Sequence, residues 1–469
     1  GITSPIGDIN VATNTITGTA IDYPDSPYVN AGIYKVYVKI EDLTYSTTYW
    51  SETGWQDSEV WVEADNTDWS YSISTTVWTD SHEYEINAKA VDATTEGNTG
   101  NATTKYFTYD KTKPQSFISS PEDDKYYNAP DIAIEGTAVD PNSGVGVDQV
   151  EIKISRSNKD YLQSKSSATW DTGEMWLECS ESLPIWSCDI SSTIWQNNEE
   201  YSVFSRAYDL AVNYEDVVSS NVFVYDDSDP ECGITYPDSN YAYSKDQETL
   251  LGTANDPGTR GKINQVYLSI KRAIGYWHEN TGEWTDPANP YWNICSSTNN
   301  WQNWKYTDNR IWVSNVYYEF RAKAEDEGGN EKQSTIVDHF TYDPNPPTSY
   351  VGIPVDSKFY RTLPQIEGTA EDAESVNSGL PASLGINVMD ITTSTTEYWN
   401  GENGWTTTPQ PWWPTDGCSQ WSYYLGGSTN TTDGYWTSGN KYRIQTEADD
   451  NAGNTETPSN GHIFYFDDT

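Results

Sequence analysis

Positive charge is scarce in this 469-residue chain: 26 Lys and Arg stand against 71 Asp and Glu, a net of −45. Binding through nucleic-acid phosphates needs a basic surface, so nucleic acid is excluded as a partner, and an anionic membrane face is disfavoured for the same reason. No run approaches the roughly 18 apolar residues of a spanning helix, so no membrane insertion is expected. The four histidines, His82, His278, His339 and His462, are too few and too scattered for a repeated metal or catalytic site. G-x-S-x-G, H-E-x-x-H, C-x-x-C and phosphate-cradling glycine loops are all missing. Carboxylate pairs abound, but none differs from its repeat equivalents, so no catalysis is expected. The chain starts at Gly1 with no charged-then-apolar leader, which predicts processing or excision from something longer. Hydrophobic residues make up only 35%, a level compatible with disorder; the 21 Trp, 35 Tyr and 9 Phe argue for a folded chain instead.

What is present is a repeat. Gly-Thr-Ala recurs at Gly18, Gly136, Gly252 and Gly368. Tyr-x-apolar-x-small-x-Ala-x-Asp begins at Tyr84, Tyr201, Tyr318 and Tyr442. Aromatic-x-aromatic-Asp ends at Asp110, Asp226, Asp343 and Asp467. Three markers sharing a period of about 117 residues define a tandem array of four units, the last with a longer middle. Val36–Ile40, Val150–Ile154 and Val266–Ile270 alternate apolar and polar residues, as a half-buried strand does. Tyr84, Ile86, Ala88 and Ala90 likewise share one face. Turn-forming clusters punctuate these runs and no 3.6-residue period is sustained. The expected fold is all-β: four tandem Ig-like β-sandwich domains in an extended array, over residues 1–112, 113–229, 230–346 and 347–469.

The order of motifs is GTA-x-D, Ser-Gly-Val with an alternating strand, Ala-x-Asp-x-Ala-Gly-Asn, then Phe-x-Tyr-Asp. Gly136–Asp140, Ser143-Gly144-Val145 and Ala448–Asn454 carry it. This pattern resembles the bacterial Ig-like repeats of large extracellular surface proteins and adhesins, over essentially the whole chain. The resemblance implies an extracellular location, on a cell surface or appendage, and a structural role as stalk, adhesin shaft or filament. It is specific for fold and weak for function, because such domains serve as spacers, tips and fibre subunits alike.

Placed on an Ig-like sandwich, GTA-x-D opens one loop and Ala-x-Asp-x-x-x-Asn another at the pole where the preceding unit's Tyr-Asp arrives. Three acidic groups should therefore meet at each junction. They are Asp110, Asp140 and Asp209 with Asn213; Asp226, Asp256 and Asp326 with Asn330; and Asp343, Asp372 and Asp450 with Asn454. Converging carboxylates need compensation, and Ca²⁺, with six to eight oxygen ligands in loose geometry, suits loops better than Mg²⁺. The resemblance points the same way, since repeats of giant adhesins bind interdomain Ca²⁺. The competing reading is that each Asp is a turn former bonded to its own backbone. Asp22 and Asp92 with Asn98 would form a terminal half-site, more loosely spaced, and Asp467 another. Either the units come from a longer array, or chains assemble head to tail.

Each unit also carries a Trp-rich insert read as a hairpin: Trp50…Trp55, Trp170…Trp176, Trp277…Trp284 and Trp399…Trp405, with Trp413 beyond. Three readings stay open: core packing through cross-strand aromatic pairs, a cell-surface glycan platform using Trp405 and Trp413, or lateral contacts between chains. Cys179 and Cys188 are close enough in sequence to bridge; Cys232 sits in a linker, and Cys295 and Cys418 read as small buried residues. Asn101 and Asn430 head sequons that permit glycosylation.

Overall fold

The computed structural model describes residues 1–469 except 24–30, 45, 66–67, 142–143, 246, 248, 335–337, 373–377, 382 and 426–432, and except the side chains of 180–181. Contacts divide the chain into two units, residues 1–228 with 258–260, and residues 229–257 with 261–469. The described residues form strands and a few single 3₁₀ turns, with no α-helix among them. The chain is all-β.

The second repeat shows the pattern. Gln115–Ser120, Ile134–Val139, Ile185–Cys188 and Ser180–Ser182 make one antiparallel sheet. Val147–Arg156 and Glu199–Asp209 form the centre of the other, flanked by Ser219–Tyr225 and by the hairpin Tyr161–Leu162/Trp170–Asp171. After Pro121 the chain changes sheets, and Lys125–Tyr127 pairs parallel with Ser219–Tyr225. The same switch follows Pro237 and Pro354, where Tyr241–Tyr243 and Lys358–Tyr360 take parallel partners. Alternation fixes which face is inside: Val150, Ile152 and Ile154 are fully buried, while Glu151 and Lys153 point outward.

Among the described residues, four core clusters lie between paired sheets, two in each unit. Each is built around a Trp paired across strands with the Gly of Gly-Thr-Ala: Trp69 with Gly18, Trp186 with Gly136, Trp304 with Gly252 and Trp421 with Gly368. The Tyr of the second marker fills the same space. Its hydroxyl accepts the backbone N–H five residues upstream, from Thr79 to Tyr84 (2.7 Å), Gln196 to Tyr201 (2.8 Å), Val313 to Tyr318 (2.8 Å) and Thr437 to Tyr442 (2.9 Å). This is the corner that Greek-key sandwiches build with tyrosine. A second Trp crosses each ring: Trp78, Trp195, Trp312 and Trp436 lie 4.9, 5.0, 5.1 and 4.7 Å from Tyr84, Tyr201, Tyr318 and Tyr442.

The inserts are hairpins, with one change of register. Trp50 faces Trp55, Trp277 faces Trp284 and Trp399 faces Trp405 across the turn. In the second repeat Leu162 faces Trp170, so Trp170 occupies the place of Trp55 and not that of Trp50. Trp176 belongs to the next segment, beside Leu177–Glu178. The longer approach through Tyr161 displaces the match that Trp spacing alone suggests.

Candidate metal centre

The strands deliver the acidic residues to loop starts. Asp140 follows Ile134–Val139, Asp209 closes Glu199–Asp209, and Asp110 follows Thr103–Tyr109. In the second unit Asp372 follows Ile366–Glu371, and Asp343 follows Asp338–Tyr342. Asp450 lies three residues past Lys441–Glu447. Asp110, Asp140 and Asp209 each bring a carboxylate oxygen within 4.8 Å of the others, and so do Asp343, Asp372 and Asp450. Two of the sequence-predicted trios are thus assembled.

Asp110 ties the linker to the next repeat. Its Oδ1 accepts the N–H of Thr112 (2.8 Å) and its Oδ2 the N–H of Val145 (2.9 Å). Asp343 repeats this with Asn345 (3.2 Å) and Ser378 (2.9 Å). Both residues are completely buried. Asn213 donates from Nδ2 to the Asp110 carbonyl and to Asp209 Oδ2, both at 2.8 Å. Asn454 does the same to the Asp343 carbonyl and Asp450 Oδ2, both at 2.7 Å. The asparagines therefore clamp the linker with their amide nitrogens, a role that residue spacing did not reveal.

Part of the site lacks compensation. Asp140 Oδ2 accepts the Gly146 N–H (2.8 Å), but its Oδ1 is buried and accepts no hydrogen bond. Desolvation, then the charges of Asp110, Asp209 and Asp80, push its carboxyl up to about 6. Desolvation also raises Asp209 and Asp372, with neighbouring carboxylates adding to both.

Oxygens within 4.8 Å of one another fit inside one Ca²⁺ shell, whose ligands at roughly 2.3–2.6 Å span up to about 5 Å. Mixed carboxylate and loop-backbone surroundings match a hard cation.

Asp80 was missed in the sequence. It accepts the Lys111 N–H (2.6 Å) and adds its charge to Asp140. The corresponding corner residues, Asn197 and Ser438, accept the N–H groups of Asp227 and Asp468. They are uncharged, so no acidic repeat marks the position.

The remaining predicted residues are placed as follows. Asp226 is buried at the end of the first unit and its Oδ1 accepts the Ser228 N–H (3.1 Å). Asp256 and Asp326 are buried in the second, where Asp326 holds Asn330 through its N–H and Nδ2, both at 2.8 Å. Asp22 accepts the Gly32 N–H (2.9 Å). Asp92 holds Thr94 and Asn98 in its loop, and these bonds pull its carboxyl down to about 2. The carboxylate of Asp467 accepts from Thr469 and Ser438.

Cys179 and Cys188 are both buried. They lie one step beyond the Ser180↔Ser187 pair, and Cys188 Sγ is directed at the Glu178 carbonyl (3.7 Å). Trp405 and Trp413 are half-buried against the core cluster that holds Trp421, donating to the carbonyls of Tyr435 (3.2 Å) and Trp399 (3.1 Å). All 21 tryptophans are buried or half-buried. Asn101 is exposed; Asn430 and Ser143 lie outside the described residues.

The chain matches no known protein-family profile and no curated protein. Among solved structures it is similar to a tetra-tandem repeat in the extending region of a large adhesion protein: 18% identity, 98% of this chain, 97% of that one, TM-score 0.32. It is similar to a Ca²⁺-stabilized adhesin that helps an Antarctic bacterium reach out and bind ice, at 12% identity over 97% and 95%, TM-score 0.29. A 1.5-MDa bacterial ice-binding adhesin aligns at 10% identity over 76% and 98%, TM-score 0.31.

Proposed function

We propose that the chain is a structural segment of an extracellular surface protein: four Ig-like domains in series (1–112, 113–229, 230–346, 347–469) forming a stalk or adhesin shaft. Its linkers are stiffened by Ca²⁺ held at Asp110/Asp140/Asp209 and Asp343/Asp372/Asp450. The observation that carries this reading is the Asp110 carboxylate. One oxygen shapes its own linker and the other receives the next repeat, beside a buried Asp140 oxygen with no donor. A cation there supplies the missing charge and couples linker order to binding. The near-total burial of Asp110 and Asp343 supports a structural site rather than a surface counter-ion. The repeat of the arrangement supports a mechanical role, since a shaft needs the same joint many times.

Small-angle scattering of the whole chain, with calcium and then with excess chelator, tests the proposal. Chelation is expected to broaden the distance distribution as the linkers loosen. A profile unchanged by chelation would leave the carboxylates as turn formers. The glycan alternative needs open indole faces; the packing of Trp405 and Trp413 against the core supports them as structural.

A further inference from the structure

The outer face of the large sheet in the first repeat carries a group of side chains that the calcium reading does not use. Lys39 and Asn87 are direct partners across the two central strands, Ile33–Asp42 and His82–Asp92. Glu41, one step along the outer face, reaches both. Its Oε1 lies 2.5 Å from Lys39 Nζ and accepts Asn87 Nδ2 at 3.2 Å. The second amide hydrogen of Asn87 goes to Glu85 Oε1 (2.6 Å), and Asn87 Oδ1 accepts the Thr104 hydroxyl (2.6 Å).

This is unusual company for an outer face. Asn87 and Glu41 are each only 6% exposed. The rings of Tyr49 and Trp61 lie 5.7 and 5.5 Å from Lys39 Nζ, and Lys89 Nζ lies 3.9 Å from the Trp61 ring. An amine and a carboxamide that share one carboxylate oxygen are thereby largely screened from water. The other repeats do not keep the set: Phe204, Arg321 and Gln445 stand where Asn87 does, counting from the corner tyrosines.

We propose that Lys39 and Asn87 are the site of a self-catalysed isopeptide bond, with Glu41 as the proton carrier. Glu41 takes a proton from the Lys39 ammonium, and the freed amine attacks Cγ of Asn87. Thr104 donates to Oδ1 as negative charge develops there, as an oxyanion-hole donor does. The new amine nitrogen loses its extra proton as the C–Nδ2 bond breaks. Glu41, already bonded to Nδ2, passes protons to it, and it departs as ammonium. One C–N bond is made and one is broken, no redox partner is needed, and Glu41 ends as it began. Cross-strand pairing of the two residues and their shared Glu41 oxygen supply the effective concentration that amide exchange needs. The product cross-links the two central strands of the first repeat.

The test is intact-mass and peptide mass spectrometry of the full chain, expressed and aged in buffer. The expected result is a mass lower by one ammonia, with the Lys39 and Asn87 peptides recovered as one branched species and Lys39 refractory to trypsin. Glu41→Gln and Lys39→Arg should restore the full sequence mass. A full-mass wild-type chain with a trypsin-cleavable Lys39 would overturn the proposal, leaving an ordinary ion pair beside an amide. Loss of ammonia without the branched peptide, as in succinimide formation at Asn87, would overturn it equally. The wild-type measurement decides the matter even if a variant fails to fold.

Discussion

Trp186 lies across the backbone of its cross-strand partner Gly136: a Cβ added to the glycine would stand 2.6 Å from Cζ2 of the indole. The approach recurs at Gly18, Gly252 and Gly368, and at all four positions a backbone carbonyl of the adjoining strand stands as close or nearly so (Phe117 O at 1.9 Å for Gly136), so the first marker of the repeat is the place where a tryptophan ring and a carbonyl leave no room for a Cβ. The alanine two positions on is buried in the second, third and fourth repeats, at Ala138, Ala254 and Ala370. Gly136→Ala should therefore lower the unfolding free energy of its repeat by about 1–3 kcal/mol through overpacking. Denaturant unfolding followed by Trp fluorescence reads this, and a loss below about 0.5 kcal/mol would show that the ring and the Phe117 carbonyl move aside at little cost.

Asp140→Asn should separate calcium binding from folding. Removing one of three carboxylates should weaken calcium at that site at least tenfold, about 1.4 kcal/mol, in isothermal titration. In chelator the variant should be no less stable than wild type, because it removes a charge that burial and neighbouring carboxylates disfavour. The exposed Asp148→Asn is the control and should change neither quantity.

The raised carboxyl of Asp140 sets a pH dependence with a definite sign. Its folded value of about 6 exceeds the unfolded value of about 3.9, so the folded chain binds the extra proton. The resulting stabilisation is fully present below about pH 4 and is lost as pH rises through 6. In chelator, this group makes the melting temperature fall across that window. Saturating calcium keeps the carboxylate ionised and should flatten the dependence, and scanning calorimetry at several pH values with the Asp140→Asn control checks both.

Trp405→Ala should act on stability. Trp405 lies 5.3 Å from the Tyr442 ring and 5.7 Å from Trp399, and its indole nitrogen is bonded to the Tyr435 carbonyl. Truncation should cost about 3 kcal/mol. A folded, undiminished variant that loses signal on a glycan array would instead restore the carbohydrate reading for Trp405 and Trp413.

Much of this protein was legible in its sequence because the signals are local and repeated. Alternation at Val150–Ile154 fixes a strand and its buried face. The four-fold Asp markers end strands at one pole, so trios such as Asp110/Asp140/Asp209 follow once a sandwich is assumed. Tertiary structure alone decided which residues become neighbours across strands. Lys39 meets Asn87 because of a register set by two hydrophobic faces far apart in sequence, and no local pattern encodes it. The same holds for the match of Leu162 with Trp170, for the turning of Asn213 toward the linker, and for Asp80, whose counterparts elsewhere are uncharged. Residue type restricts what a side chain can do; the pairing of distant strands, driven by burial of their apolar faces, determines which chemistry it meets.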